Sequence, residues 1–140
     1  MKVLYTAHAS ATGGREGHGA TSDGKVDVVL STPRELGGNG GPGTNPEQLF
    51  ATGYSACFLG AFKFAAGQEK IKVPEDAKVS AAVGIGPRDD GKGFGLTVEL
   101  TIDVPGLARG TVEDLVKKAD IICPYSHSIR GNVDVKLTVA

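Results

Sequence analysis

Two cysteines, five arginines and three histidines are the side chains of this 140-residue chain from which catalytic chemistry could be built. Cys57 and Cys123 are too few and too far apart for a disulfide-stapled scaffold, and their spacing fits no zinc site. His8, His18 and His127 share no ligand spacing with the cysteines or with each other, so no metal centre is expected. In a reducing compartment each thiol is either inert packing or a nucleophile. Cys57 has Gly53, Tyr54, Gly60 and Ala61 one helical turn away. Phe50, Tyr54, Phe58 and Phe62 recur around it at i+4, a setting that on composition alone suits a small core hydrophobe. If Cys57 reacts, it needs a cation nearby, because burial raises a thiol pKa and a helix dipole fades beyond its first turn. Arg15, between Gly13-Gly14 and Gly17 on a loop free to move, is the best candidate, and otherwise a solvated turn residue. Cys123, before Pro124, reads by itself as structural; its value is that no other thiol in the chain can pair with Cys57.

The elements that must position these groups are legible from punctuation and period. Residues 2–12 and 25–30 read as an N-terminal hairpin, and residues 32–44, rich in Gly and Pro, read as a loop with no regular element. The glycines of 37–43 lack a Gly-Lys-Ser/Thr ending, and Pro46 removes a donor, so a phosphate cradle carries little weight. A long helix begins at 45–46, either through a Thr44/Glu47 capping box or with Asn45 as cap and Pro46 in the first turn. It runs to about Gly67 with almost no polar face and is expected to be buried nearly all round. Strands follow at 78–86 and 96–104, joined by the turn Asp89-Asp90-Gly91-Lys92-Gly93. A second helix from Thr111 ends near Cys123-Pro124, and Val133, Val135, Leu137 and Val139 form a last strand. The order ββαββαβ gives an α+β class with an antiparallel sheet in one domain, 1–140.

Composition removes several function classes. Fifteen Lys and Arg against sixteen Asp and Glu, with no basic block, lack the footprint of nucleic-acid or anionic-membrane binding. The chain shows neither an apolar run near 18 residues nor a signal-peptide pattern, so a cytoplasmic location is expected. A Cys-dependent acyl transferase would need a recognisable His beside the thiol. A non-catalytic binder of apolar ligands would keep the apolar surroundings of Cys57 without needing Cys123.

Taken together, Gly13-Gly14-Arg15-Glu16-Gly17, Leu36-Gly37-Gly38, Gly43 through Ala51, Gly53-Tyr54, Ala56-Cys57-Phe58 and Cys123-Pro124-Tyr125-Ser126 with Arg130-Gly131-Asn132 resemble the organic hydroperoxide resistance (Ohr) branch of the Ohr/OsmC family. The likeness runs in order along nearly the whole chain. His127-Ser128-Ile129 departs from the expected Asn-Ala-Thr but touches no catalytic position. The resemblance implies an OsmC-like fold, with a sheet wrapped on a long central helix in an intertwined homodimer, and a cytoplasmic thiol peroxidase reducing alkyl and lipid hydroperoxides. It makes Cys57 the peroxidatic nucleophile, Cys123 its resolving thiol, Arg15 the activating cation and Glu47 the carboxylate that orients Arg15. No bound cofactor is implied; dihydrolipoamide or a lipoylated protein serves as reducing co-substrate. Glu47 and Cys57 are ten residues apart on one expected helix, about 15 Å of rise. A composite site is therefore expected, with Glu47 and Arg15 from one chain and Cys57 and Cys123 from the other.

Overall fold

In a computed structural model describing all 140 residues, the chain groups into two units, Met1–Leu49 and Phe50–Ala140. The first is an antiparallel sheet of three short strands, β1 (Ala9–Thr12), β2 (His18–Thr21) and β3 (Asp27–Val29), in that order. The expected hairpin of 2–12 with 25–30 is thus corrected: β2 lies between the two segments and pairs with both. His18-Gly19-Ala20-Thr21 has no apolar alternation, so only tertiary pairing reveals it as a strand.

The turn from β1 to β2 is tight. Gly14–Glu16 forms one 3-10 turn, Gly13 is left-handed at φ 70°, and a methyl group on Gly17 would sit 1.7 Å from the Thr12 carbonyl oxygen. Arg15 is therefore carried on a constrained turn. The loop 32–44 includes one 3-10 turn, Arg34–Leu36, although no regular element was expected there. The Thr44 N–H bonds the Val29 carbonyl and the Ser31 N–H bonds the Thr44 carbonyl, which returns the loop to β3 and delivers Asn45 to the start of the long helix.

That helix, α1, spans Pro46–Gln68. Asn45 is its cap, its side-chain oxygen accepting the Gln48 N–H at 2.8 Å, and Pro46 takes the first helical position, where its missing donor costs nothing. The rest of the second unit is β4 (Lys78–Pro87), β5 (Phe94–Asp103), α2 (Arg109–Ile122), α3 (Pro124–Ile129) and β6 (Val135–Val139). The β4–β5 hairpin closes through Asp89–Gly93, with Gly91 at φ 68°. Val98, Leu100 and Ile102 point into the core, as their alternation with Thr97, Glu99 and Thr101 requires. They meet Tyr54, Phe58, Phe62, Ala65 and Ala66 from α1 and Leu115 and Ala119 from α2.

Three expectations for this unit change. Strand β6 runs parallel to β5, because α2 and α3 form a crossover that returns the chain to the same end of the sheet. A third helix, α3, starts at Pro124 immediately after Cys123, and α2 begins two residues before Thr111. Helix α1 is not buried all round: Tyr54, Phe58, Ala61, Phe62, Ala65 and Ala66 are buried, while Thr52, Ala56, Gly60 and Phe64 form an exposed stripe. By length and hydropathy α1 could cross a membrane, but it is built into this unit as its core helix.

Candidate active site

The structure joins the four sequence-derived residues as two pairs. In the first unit, the Arg15 guanidinium donates two bonds to the Glu47 carboxylate, Nη1 to Oε2 at 2.8 Å and Nη2 to Oε1 at 2.6 Å. This is the bidentate fork that only arginine makes with a carboxylate. The hydrogen bond from Arg15 holds the Glu47 carboxyl below its usual range, outweighing the opposing effect of burial, and the same bond raises the guanidinium pKa. The guanidinium therefore keeps its positive charge and is fixed in direction by the Glu47 carboxylate, although the ion pair as a whole is neutral. Capping leaves Glu47 available for this role: Asn45 serves the helix N-terminus, and Thr44 pairs with Gln48 instead. Arg15 also lines a groove of about 540 Å³ in this unit, whose walls include Ala11, Ala20, Val28, Leu30 and Leu49.

In the second unit, Cys57 lies at the start of the fourth turn of α1 and Cys123 at the junction of α2 and α3. Both thiols are free, and their sulfurs are 3.4 Å apart. Cys123 is fully buried and Cys57 partly so. Burial pushes the Cys57 thiol above its ordinary value; the backbone N–H of Tyr125 acts against this, and the neighbouring Cys123 adds to it. These surroundings disfavour the Cys57 thiolate, and a nearby cation would favour it. Phe50, Tyr54 and Tyr125 cluster beside the pair, with ring centroids 5.7–5.8 Å apart. Gly53 lets Tyr125 lie against α1, since a methyl group there would meet the Tyr125 hydroxyl at 2.9 Å.

Known proteins share both sequence and fold. A family model described as OsmC-like protein matches residues 37–138. An organic hydroperoxide resistance protein of Xanthomonas axonopodis pv. citri is 58% identical over 139 residues, covering 99% of this chain and 96% of its own. The chain belongs to the Ohr/OsmC family. The crystal structure of an organic hydroperoxide resistance protein from Legionella pneumophila superposes with a TM-score of 0.93 at 50% identity, over 99% of each chain. The OhrB structure of Bacillus subtilis superposes with a TM-score of 0.89 at 39% identity, covering 99% of this chain and all of that one.

Sequence reasoning about this Ohr/OsmC chain missed the Tyr125 N–H and the Ser126 hydroxyl, which follow Cys123. Pro124 is the signal that could have exposed them. A proline directly after a helix end suits the first position of a new helix, and α3 starts there. His8, His18 and His127 stay out of both pairs; His18 instead contacts Asp27 at 2.5 Å. No group of three or more His, Cys, Asp or Glu side chains comes together as a metal site.

Proposed function

We propose that this protein is a single-domain thiol peroxidase that reduces organic hydroperoxides, alkyl and lipid, to alcohols. The observation that carries this reading is the 3.4 Å approach of two free thiols, one partly open and one fully buried. The similarity to an organic hydroperoxide resistance protein at 58% identity supports the substrate class. Arg15, oriented by Glu47, stabilises the Cys57 thiolate. The thiolate attacks the distal peroxide oxygen, the O–O bond breaks, and the alkoxide leaves and takes up a proton as alcohol. Cys57 is then a sulfenic acid. The Cys123 sulfur displaces its hydroxyl, forming a Cys57–Cys123 disulfide and one water. A dithiol such as dihydrolipoamide, free or on a lipoylated protein, restores both thiols by exchange, and no resident cofactor takes part. The apolar groove beside Arg15 and the rings of Phe50 and Tyr125 favour alkyl over hydrogen peroxide, which gains nothing from apolar contact.

This reading includes a homodimer with composite sites in the cytoplasm. Exposed Thr52, Ala56, Gly60 and Phe64 on α1 form a narrow, mostly small-residue stripe suited to close helix packing across a twofold axis. Arg15 and Glu47 of the partner subunit would then supply the cation that the surroundings of Cys57 lack. A second reading, a non-catalytic binder of apolar ligands, draws on the same groove. One assay separates the two: consumption of reduced dihydrolipoamide on adding cumene hydroperoxide, with native protein and Cys123→Ser. The peroxidase gives turnover in the native protein and little in the variant, whereas a binder gives none in either and overturns the proposal.

A further inference from the structure

Tyr54 and Ser126 form a second rung beside the thiols. Tyr54 precedes Cys57 by three residues on α1, and Ser126 follows Cys123 by three residues into α3. Residues three apart on a helix share a face, so Tyr54 and Cys57 project from neighbouring turns toward the same segment. The rungs are Tyr54 Oη to Ser126 Oγ at 2.6 Å and Cys57 Sγ to Cys123 Sγ at 3.4 Å. Tyr54 is fully buried and Ser126 is 2% exposed. Few geometric freedoms remain in a short bond between two buried hydroxyls, and neither can turn to water if α3 slides along α1.

Helix α3 has only six residues, too few to hold its position by its own hydrogen bonds. Its aromatic and polar attachments to α1 are the Tyr125 ring, laid over Gly53 and packed on Phe50 and Tyr54, the Tyr125 N–H on Cys57, and the Ser126 hydroxyl on Tyr54. Ser126 is the only one of these three contacts that stands apart from the reacting sulfurs and is fixed in direction by a hydroxyl pair.

We propose that Tyr54 and Ser126 are positioning residues for disulfide closure: their bond sets the register of α3 on α1 and so keeps the Cys123 sulfur within reach of Cys57. This rests on the peroxidase reading for its biological use but not for its test. In the closing step the Cys123 Sγ–Cys57 Sγ bond forms and the Cys57 S–O bond breaks. The hydroxyl leaves as water with the Cys123 thiol proton; Cys123 is oxidised, Cys57 is reduced, and the hydroperoxide of the preceding step is the oxidant. If closure slows, a second hydroperoxide reaches the sulfenic acid first and converts it to sulfinic acid.

The test compares native protein with Tyr54→Phe, Ser126→Ala, the double variant, and Ser126→Thr, which keeps the hydroxyl. The double variant guards against unfolding, because removing both partners leaves no buried hydroxyl unpaired. The first readout is the ratio of disulfide to sulfinic acid after a pulse of excess cumene hydroperoxide, measured by intact mass. The second is the effective concentration of the two thiols, from equilibrium with oxidised and reduced glutathione, which needs no peroxide chemistry. Both should fall by roughly tenfold in Tyr54→Phe and in the double variant, the scale expected when reacting atoms are displaced by a fraction of an ångström, and recover in Ser126→Thr. Folded variants with native values of both readouts would overturn the positioning role. Native protein that forms no disulfide with hydroperoxide would overturn the peroxidase reading alone, and the glutathione equilibrium would still decide the role of Tyr54 and Ser126.

Discussion

A thiol that burial makes harder to ionise is a poor nucleophile at neutral pH, and Cys57 is such a thiol in its own surroundings. The proposed remedy is the Arg15 charge, held by a fork to Glu47. Arg15→Ala should therefore slow single-turnover hydroperoxide reduction by about two orders of magnitude, and Arg15→Lys by at least about tenfold, since a point charge cannot reproduce the fork. Alkylation rate against pH checks the cause: the apparent Cys57 pKa should rise in Arg15→Ala, and an unchanged value rules the role out. The same fork makes stability depend on acid. The Glu47 carboxyl is lowered from an ordinary 4.5, so its stabilisation is complete above that value and is lost as pH falls through the folded-state pKa. Glu47→Gln should lower the melting temperature near neutrality, with the difference from native protein shrinking below about pH 4.

At the scale of elements, the site depends on where α1 starts and on how the β1–β2 turn is built. Asn45, itself nearly buried, caps α1 through the Gln48 N–H. Replacing it by alanine removes that acceptor at a cost of about 1 kcal/mol, which for a chain this size is a fall of roughly 3 °C in melting temperature. Gly17→Ala is expected to be far more damaging locally, because the new methyl group would lie inside the Thr12 carbonyl. Its signature should be loss of amide protection in β1 and β2 by hydrogen exchange, with the β4–β5 hairpin unaffected; native protection in β1 would contradict the assigned turn. The Gly-rich spacing around Arg15 showed that a turn was there. Its tightness was not legible, since it comes from backbone atoms of Thr12 and Gly17 meeting across the hairpin.

For the whole molecule, the central prediction concerns which chain supplies which residue. Cys57 and Cys123 touch within one chain, and Arg15 and Glu47 likewise, so each pair travels as a unit. Mixing inactive Cys57→Ser with inactive Glu47→Ala under conditions of subunit exchange should restore part of the hydroperoxide activity in heterodimers. Inactivity despite proven exchange, or a monomer by sedimentation, would reject the composite site. The α+β class, the start of α1, the β4–β5 hairpin and the four residues to watch are legible without coordinates. Caps, turn residues and apolar period are local signals, and Thr44 through Ala51 with Cys123-Pro124-Tyr125-Ser126 carries the family motif. That β2 is a strand, that β6 lies parallel to β5, that α1 keeps an exposed face and that Tyr54 bonds Ser126 emerge from the folded chain alone. Each of these is a pairing between residues distant in the chain or a burial set by what packs on one face, and neither leaves a periodic trace in the sequence.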